Sequence, residues 1–156
     1  MPALADYVAA TNDAAALISL GGADLGDQAK RIVRPNVRVE SYVDQWQVLQ
    51  TASVFLTHHG LNSTHEAIFH QTPMISYPLF ADQPPLAARC QEFGLAVPLV
   101  ESLRDPVTPD DIGAALAHVA ADRVAIGARL AEAARWELAT IDERPTVIER
   151  VVDLMR

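Results

Sequence analysis

Five short apolar runs alternate with stretches of helical composition over the first hundred residues, and this alternation constrains the fold more than any other feature of the chain. The runs are residues 15–20, 37–43, 53–57, 74–77 and 96–100. Four of these are mostly apolar and, bounded by turn residues, read as strands; residues 37–43 instead alternate apolar and polar and are rich in β-branched residues, which also reads as a strand. Helical stretches fall between them: residues 4–10, a short amphipathic segment around Trp46, Val48 and Leu49, then residues 63–69 and 86–93. Strands that alternate with helices predict an α/β layer structure, Rossmann-like, with a mostly parallel sheet and flanking helices. Thr11-Asn12-Asp13 and the Gly21–Gly26 stretch read as turns; the latter is not spaced as Gly-x-Gly-x-x-Gly. Beyond Pro109 the pattern is wholly helical. Ile112, Leu116 and Val119 share one face, and Val124, Leu130, Ala134 and Leu138 share another. Pro145 is expected to open a final helix to Leu154, since a proline in the first turn gives up no needed donor. The whole, residues 1–156, reads as one domain.

Half of the residues are apolar, enough for a proper core, and the net charge is −8. An acidic surface repels phosphate backbones and anionic lipids, so neither nucleic acid nor a membrane surface is an expected partner. Any anionic ligand must be held by local donors and dipoles. No apolar run approaches the ~20 residues of a membrane span, and the first residues have no secretory pattern, so a cytoplasmic protein is expected. The single cysteine, Cys90, excludes an internal disulfide and reads as a core thiol. A metal site is not expected. His65 and His70 in His65-Glu66-Ala67-Ile68-Phe69-His70 are five apart, not the four that puts two zinc ligands on one helical face. Adjacent His58 and His59 would point oppositely in an extended segment.

In open parallel sheets, ligands sit at the carboxyl ends of the strands. Three loops leave such ends: residues 43–45, 57–63 and 79–83. The second, Thr57-His58-His59-Gly60-Leu61-Asn62-Ser63, leads into a helix start. The first N–H groups of a helix have no internal partner and the helix dipole adds positive charge there, so this loop suits a diphosphate. Asn62 and Ser63 add donors. The structural alternative is a capping box, with Ser63 as N-cap and Glu66 as its partner.

A longer ordered set decides between them. Tyr42-Val43-Asp44-Gln45, His58-His59-Gly60-Leu61-Asn62-Ser63-Thr64, Glu66, Pro73-Met74 and Pro78-Leu79-Phe80-Ala81-Asp82-Gln83 follow one another. Together they resemble the signature of the UDP-glycosyltransferase family: aromatic-x-Pro-Gln, His-x-Gly-x-Asn-Ser-Thr-x-Glu, Pro-Met, Pro-Leu-x-x-Asp-Gln. The resemblance implies the C-terminal, donor-binding half of a GT-B glycosyltransferase that transfers a hexose from a UDP- or dTDP-sugar to a small-molecule acceptor. It also implies site roles. Tyr42 would stack on the nucleobase and Gln45 hydrogen-bond toward the nucleoside. His58, Gly60, Asn62 and Ser63 would hold the diphosphate. Glu66 would accept the ribose hydroxyls, and Asp82 and Gln83 would hold hydroxyls of the sugar. Each has a bland counterpart: core packing for Tyr42, an exposed helix opener for Gln45, a helix cap for Asp82. The family is metal-independent, and the nucleotide-sugar is substrate rather than cofactor.

Some positions depart from the family pattern. Asp44 replaces a proline, Leu61 a common tryptophan, Gln71 a glycine that ends the phosphate helix, and Leu86 an asparagine. The resemblance also implies an acceptor domain and a first strand ahead of residues 4–10 that this sequence lacks, so no general base is assigned. The expectation is that the sheet closes over that gap, or that another chain donates a strand, making a homo-oligomer one outcome. A non-catalytic nucleotide-sugar-binding relic is the alternative function. A GT-B isomerase is disfavoured by the Asp82-Gln83 pair.

Overall fold

In the computed structural model, which describes residues 2–11, 13–24, 26–100 and 106–155, all five expected strands form, each shorter than its apolar run. The order is α1 (Pro2–Ala10), β1 (Ala16–Ser19), a 3-10 turn (Gly26–Arg31), β2 (Val37–Glu40), α2 (Gln45–Leu49), β3 (Phe55–Thr57), α3 (Leu61–Phe69), β4 (Met74–Ser76), α4 (Gln83–Glu92), β5 (Ala96–Pro98), α5 (Pro109–Ala121) and α6 (Arg123–Leu154). Asn12 and Leu25, within the two predicted turns, lie outside the described residues.

The strands form two parallel sheets, β1–β2 and β3–β4–β5, with no ladder between them among the described residues. Of the two expected outcomes, closure of the sheet over the gap is not seen among those residues. What joins the two is α1: Leu4 and Tyr7 pack against the apolar clusters of both. Asn36 fixes the helix from below, its amide nitrogen reaching the carbonyls of Val8, Thr11 and Ala14. In the second sheet β4 is central, and Met74, Ile75 and Ser76 are all buried, as a strand paired on both edges and covered on both faces requires. Helix α5 packs on β4 and β5, α4 on β5, and α3 against α6. Cys90 is a buried core residue whose thiol is pushed up to about 11 by burial.

Two expectations for the C-terminal helices are corrected. Pro145 does not open a helix but lies inside α6. The ring removes one N–H from the ladder; residues 138–155 are all exposed, so the carbonyl left unpaired is met by water. The buried stripe of α6 is Ile126, Leu130 and Ala134, one every fourth residue, while Val124 and Leu138 face solvent. Helix α5 buries Ile112, Ala115 and Val119, with Leu116 half-buried.

Helices α3 and α4 end alike. In each, the N–H of the residue two past the C-cap bonds a carbonyl five residues back: Thr72 to Ala67 at 2.9 Å and Leu95 to Cys90 at 2.8 Å. This ending needs a left-handed residue in between. In α4 it is Gly94, at φ 65°; in α3 it is Gln71, at φ 55°. A side chain there costs about 1–2 kcal/mol in backbone strain. Gln71 is exposed and has no packing role to offset that. Replacing Gln71 by glycine is therefore expected to stabilise the fold by about 1 kcal/mol, after the extra freedom of glycine in the unfolded chain is counted. A denaturant midpoint unchanged or lowered in Gln71→Gly would contradict this.

Candidate functional site

Strands β3 and β4 run parallel side by side, so the loops leaving their carboxyl ends, residues 58–60 and 77–82, emerge at one edge. Helix α3 starts at Leu61, three residues earlier than the capping-box alternative needs. Its N-cap is Gly60, and the first turn closes on the Gly60 carbonyl, which accepts from Thr64 N–H at 3.0 Å. The capping box is thereby excluded. Glycine supplies no side-chain acceptor, so the tip makes no cap bond, and Leu61 and Asn62 beside it are exposed. A serine or aspartate at the N-cap would fill the place where an anion meets these N–H groups. With glycine there, the tip stays open.

Freed from capping, Ser63 and Glu66 turn toward α2. The Gln45 side-chain N–H group donates to Glu66 Oε2 at 2.6 Å, and Ser63 Oγ donates to Gln45 Oε1 at 3.4 Å. All three residues are half-buried. Gln45 is presented by the first residue of α2, whose N-cap is Asp44: its carboxylate accepts from Gln47 N–H at 3.1 Å. That gives a local reason for the aspartate where the resembled family has proline.

His58 is exposed, and its ring folds over Gly60: a Cβ on that glycine would lie 2.8 Å from His58 Nε2. Gly60 thus leaves room for the ring at close approach, its φ being an ordinary −60°; any Cβ there would push the exposed His58 ring aside. His59 goes the other way and is fully buried. Its Nε2 is 2.7 Å from Ser76 Oγ and its Nδ1 is 3.2 Å from Thr64 Oγ1, while its backbone N–H donates to Thr57 Oγ1 at 3.1 Å. Burial first, and neighbouring His58 second, pull the His59 imidazole down to about 4, so it is neutral. In the sequence His59 was visible only as the residue that must face away from His58.

On the neighbouring loop, Asp82 occupies the N-cap position of α4 but makes no cap bond and is exposed. Gln83 is buried, and its Oε1 accepts from the N–H groups of Leu79 and Phe80 at 2.9 and 3.2 Å. Its acceptor thus holds its own loop, in which Ala81 sits at φ 56°, and only its N–H donors are left to face outward. Tyr42 follows β2 and is 75% exposed, so the core-packing alternative for it fails. The chain thus joins Gln45, Ser63 and Glu66 directly, sets His58 and Asn62 at the adjoining helix tip, and carries Asp82 and Gln83 on the next loop. The whole is an open face. Two surface depressions lie elsewhere, beside Val33 and Asn36 and between α1 and α5 at Leu56 and Tyr77. Among the described residues, no group of three or more His, Cys, Asp or Glu side chains is arranged to hold a metal ion, and no helix is long and apolar enough to cross a membrane.

The chain is similar to known proteins in sequence and in fold. A sequence model of the family described as UDP-glucoronosyl and UDP-glucosyl transferase matches residues 24–126. UDP-glucuronosyltransferase 2C1 of Oryctolagus cuniculus is 42% identical over 65 residues, which is 40% of this chain and 13% of that protein. The uncharacterized UDP-glucosyltransferase YojK of Bacillus subtilis is 39% identical over 59 residues, 38% of this chain and 15% of that one. Among solved structures, the glycotransferase of kitacinnamycin superposes with a TM-score of 0.78 at 30% identity, covering 95% of this chain and 38% of that one. The calicheamicin glycosyltransferase CalG4 shares the fold, with a TM-score of 0.69 at 24% identity over 89% of this chain and 44% of that one. The chain thus spans less than half the length of each of these proteins.

The depressed His59 sets a pH dependence whose sign follows from linkage. Its ring titrates at about 4 in the folded chain and at its ordinary 6.5 when unfolded, so the unfolded chain binds the proton first. The stability it contributes is complete above pH 6.5 and is lost as pH falls toward 4. Across that window the unfolding free energy should gain a slope approaching about 1.4 kcal/mol per pH unit. Urea melts at stepped pH check this; His59→Gly should flatten the slope, and an identical slope in the variant would refute the assignment.

Proposed function

Because the chain belongs to the UDP-glucoronosyl and UDP-glucosyl transferase family, we propose that it binds the nucleotide-sugar donor, a UDP- or dTDP-sugar, for transfer of a hexose to a small-molecule acceptor. The observation that carries this reading is the uncapped tip of α3, with Gly60 at its N-cap, His58 folded over it, and Glu66 facing Gln45 one turn along. The diphosphate sits against the N–H groups of Leu61, Asn62 and Ser63, with the His58 ring beside it. As the sugar leaves, negative charge grows on that diphosphate, and donors already aimed there stabilise the transition state more than the bound substrate.

Glu66 takes the ribose hydroxyls. One of its oxygens is engaged by Gln45 at 2.6 Å, which orients the carboxylate and leaves the other oxygen for the pentose. Tyr42, already exposed, offers a ring on which the base can stack. Asp82 accepts from sugar hydroxyls, and the Gln83 amide donates to them, since its carbonyl is held by Leu79 and Phe80. On a chain of net charge −8 the anion is held by these local donors rather than by a general field.

An open face is half of a cleft. We assign the acceptor and the general base to a second domain that closes over it, as the relatives' greater length allows. A nucleotide-sugar-binding protein without transfer activity is the alternative, and it makes the same binding prediction.

Calorimetric titration with UDP is expected to show binding to the wild-type chain. Glu66→Ala and His58→Ala should each weaken it by about 1.5–3 kcal/mol, roughly 10- to 100-fold, the range for a hydrogen bond to a charged group. Equal binding by the wild type and both variants would overturn the site. Assayed alone with a UDP-sugar and an acceptor, the chain should give little transfer; robust turnover would overturn the division of labour.

A further inference from the structure

We propose that His59, which touches no ligand, is a positioning residue that holds the tip of α3 open, an inference that rests on the donor-site reading above. It lies between His58 and Gly60, two residues assigned to the diphosphate, yet its side chain is fully buried. Adjacent side chains on an extended segment point to opposite faces, as expected for this pair. Here the backbone reverses at His59, with φ 62°, and this turn sends His58 outward and the His59 ring inward. A side chain in that conformation is disfavoured, and it persists where surrounding contacts over-determine it.

The contacts that do so come from three elements. Ser76 closes β4, Thr64 lies in the first turn of α3, and Thr57 closes β3. Their hydroxyls meet the His59 Nε2, Nδ1 and backbone N–H respectively, at 2.7, 3.2 and 3.1 Å. All three residues are at most 3% exposed, so no water replaces a lost partner easily. A neutral imidazole donates at one nitrogen and accepts at the other, and a hydroxyl can do either, so the arrangement is satisfied whichever tautomer is present. An aliphatic side chain here would strand two buried hydroxyls. Glycine would suit the backbone but leave a void.

The consequence reaches the site because Thr64 Oγ1 belongs to the helix whose tip is at issue. The ring ties that first turn to the end of β4, and the chain between the tie points is Gly60–Ser63. With the tie cut, this segment is free to rotate, and its N–H groups no longer converge on one place. His59 thus bears on affinity through the course of the loop and not by contact.

His59→Gly and Ser76→Ala separate this role from mere stability. His59→Gly relieves the left-handed strain while removing the ring, and Ser76→Ala removes only the hydroxyl on Nε2. Each is compared with the wild type well below its melting temperature, by UDP titration and by hydrogen exchange at the Thr64 amide, bonded to the Gly60 carbonyl, and the His65 amide after it in α3. Exchange of those amides is expected to rise at least about tenfold in His59→Gly, the equivalent of one lost buried hydrogen bond, with β5 and α5 unchanged. UDP affinity should fall by about the same factor. Ser76→Ala should move both readouts in the same direction by less, and His59→Asn, which tolerates φ near 60° and retains one donor and one acceptor, should recover part of each loss. Wild-type exchange and wild-type affinity in His59→Gly would overturn the proposal. If His59→Gly does not fold, Ser76→Ala decides: no change in either readout overturns it. If the wild type itself fails to bind UDP, the donor-site reading falls, and the exchange arm still decides whether His59 holds the loop.

Discussion

The candidate site depends on a buried histidine whose ring and backbone N–H together meet three chain segments. Parallel strands put their carboxyl ends at the same edge, but that alone leaves the loops beyond them undirected. His59 supplies direction: its ring meets Ser76 at the end of β4 and Thr64 in the first turn of α3, and its backbone N–H donates to Thr57 at the end of β3. From this follow the outward course of His58, the approach of its ring to Gly60, and a helix tip with no side chain plugging it. The surface arrangement is thus a product of what lies beneath it.

A second layer of the site is set by side chains that would otherwise serve local structure. Ser63 and Glu66 have capping-box spacing, and Asp82 stands at an N-cap position, yet none of the three caps a helix. Capping falls instead to Asp44 on α2 and Thr108 on α5, well away from the proposed phosphate position. Gln83 does both jobs: its carbonyl oxygen secures Leu79 and Phe80, and its amide nitrogen has no partner among the described residues. Polar groups near the helix tip are thereby left able to meet a ligand.

Much of this was legible in the sequence, for identifiable reasons. The five strands and the order of helices followed from apolar runs whose period and length admit little else, and the ordered set from Tyr42 to Gln83 pointed to the family before any coordinates. Helix starts were less legible. Ser63 with Glu66 imitates a capping box, and only the backbone bond from Thr64 to Gly60 shows that the helix begins earlier. Pro145 misled because a preference for the first turn does not forbid the helix interior: here the helix continues with one backbone bond lost, and in this exposed stretch water meets the carbonyl left over. The role of His59 was hidden because it arises from Ser76, a residue seventeen positions away that no local pattern connects to it. The separation of the sheets was hidden likewise, since strand pairing is a long-range property.

That separation has a mechanical consequence. Between β1–β2 and β3–β4–β5 no ladder bond runs among the described residues, and the side chains of Leu4 and Tyr7 on α1 pack against the clusters of both. Apolar packing is non-directional, so it resists pulling the halves apart far more than it resists sliding one along the other. Tyr42 follows β2 in the amino-terminal half, whereas the α3 tip and the 77–82 loop belong to the β3–β4–β5 sheet, so the proposed base and phosphate positions lie on opposite sides of this seam while the proposed phosphate and sugar positions share one ladder.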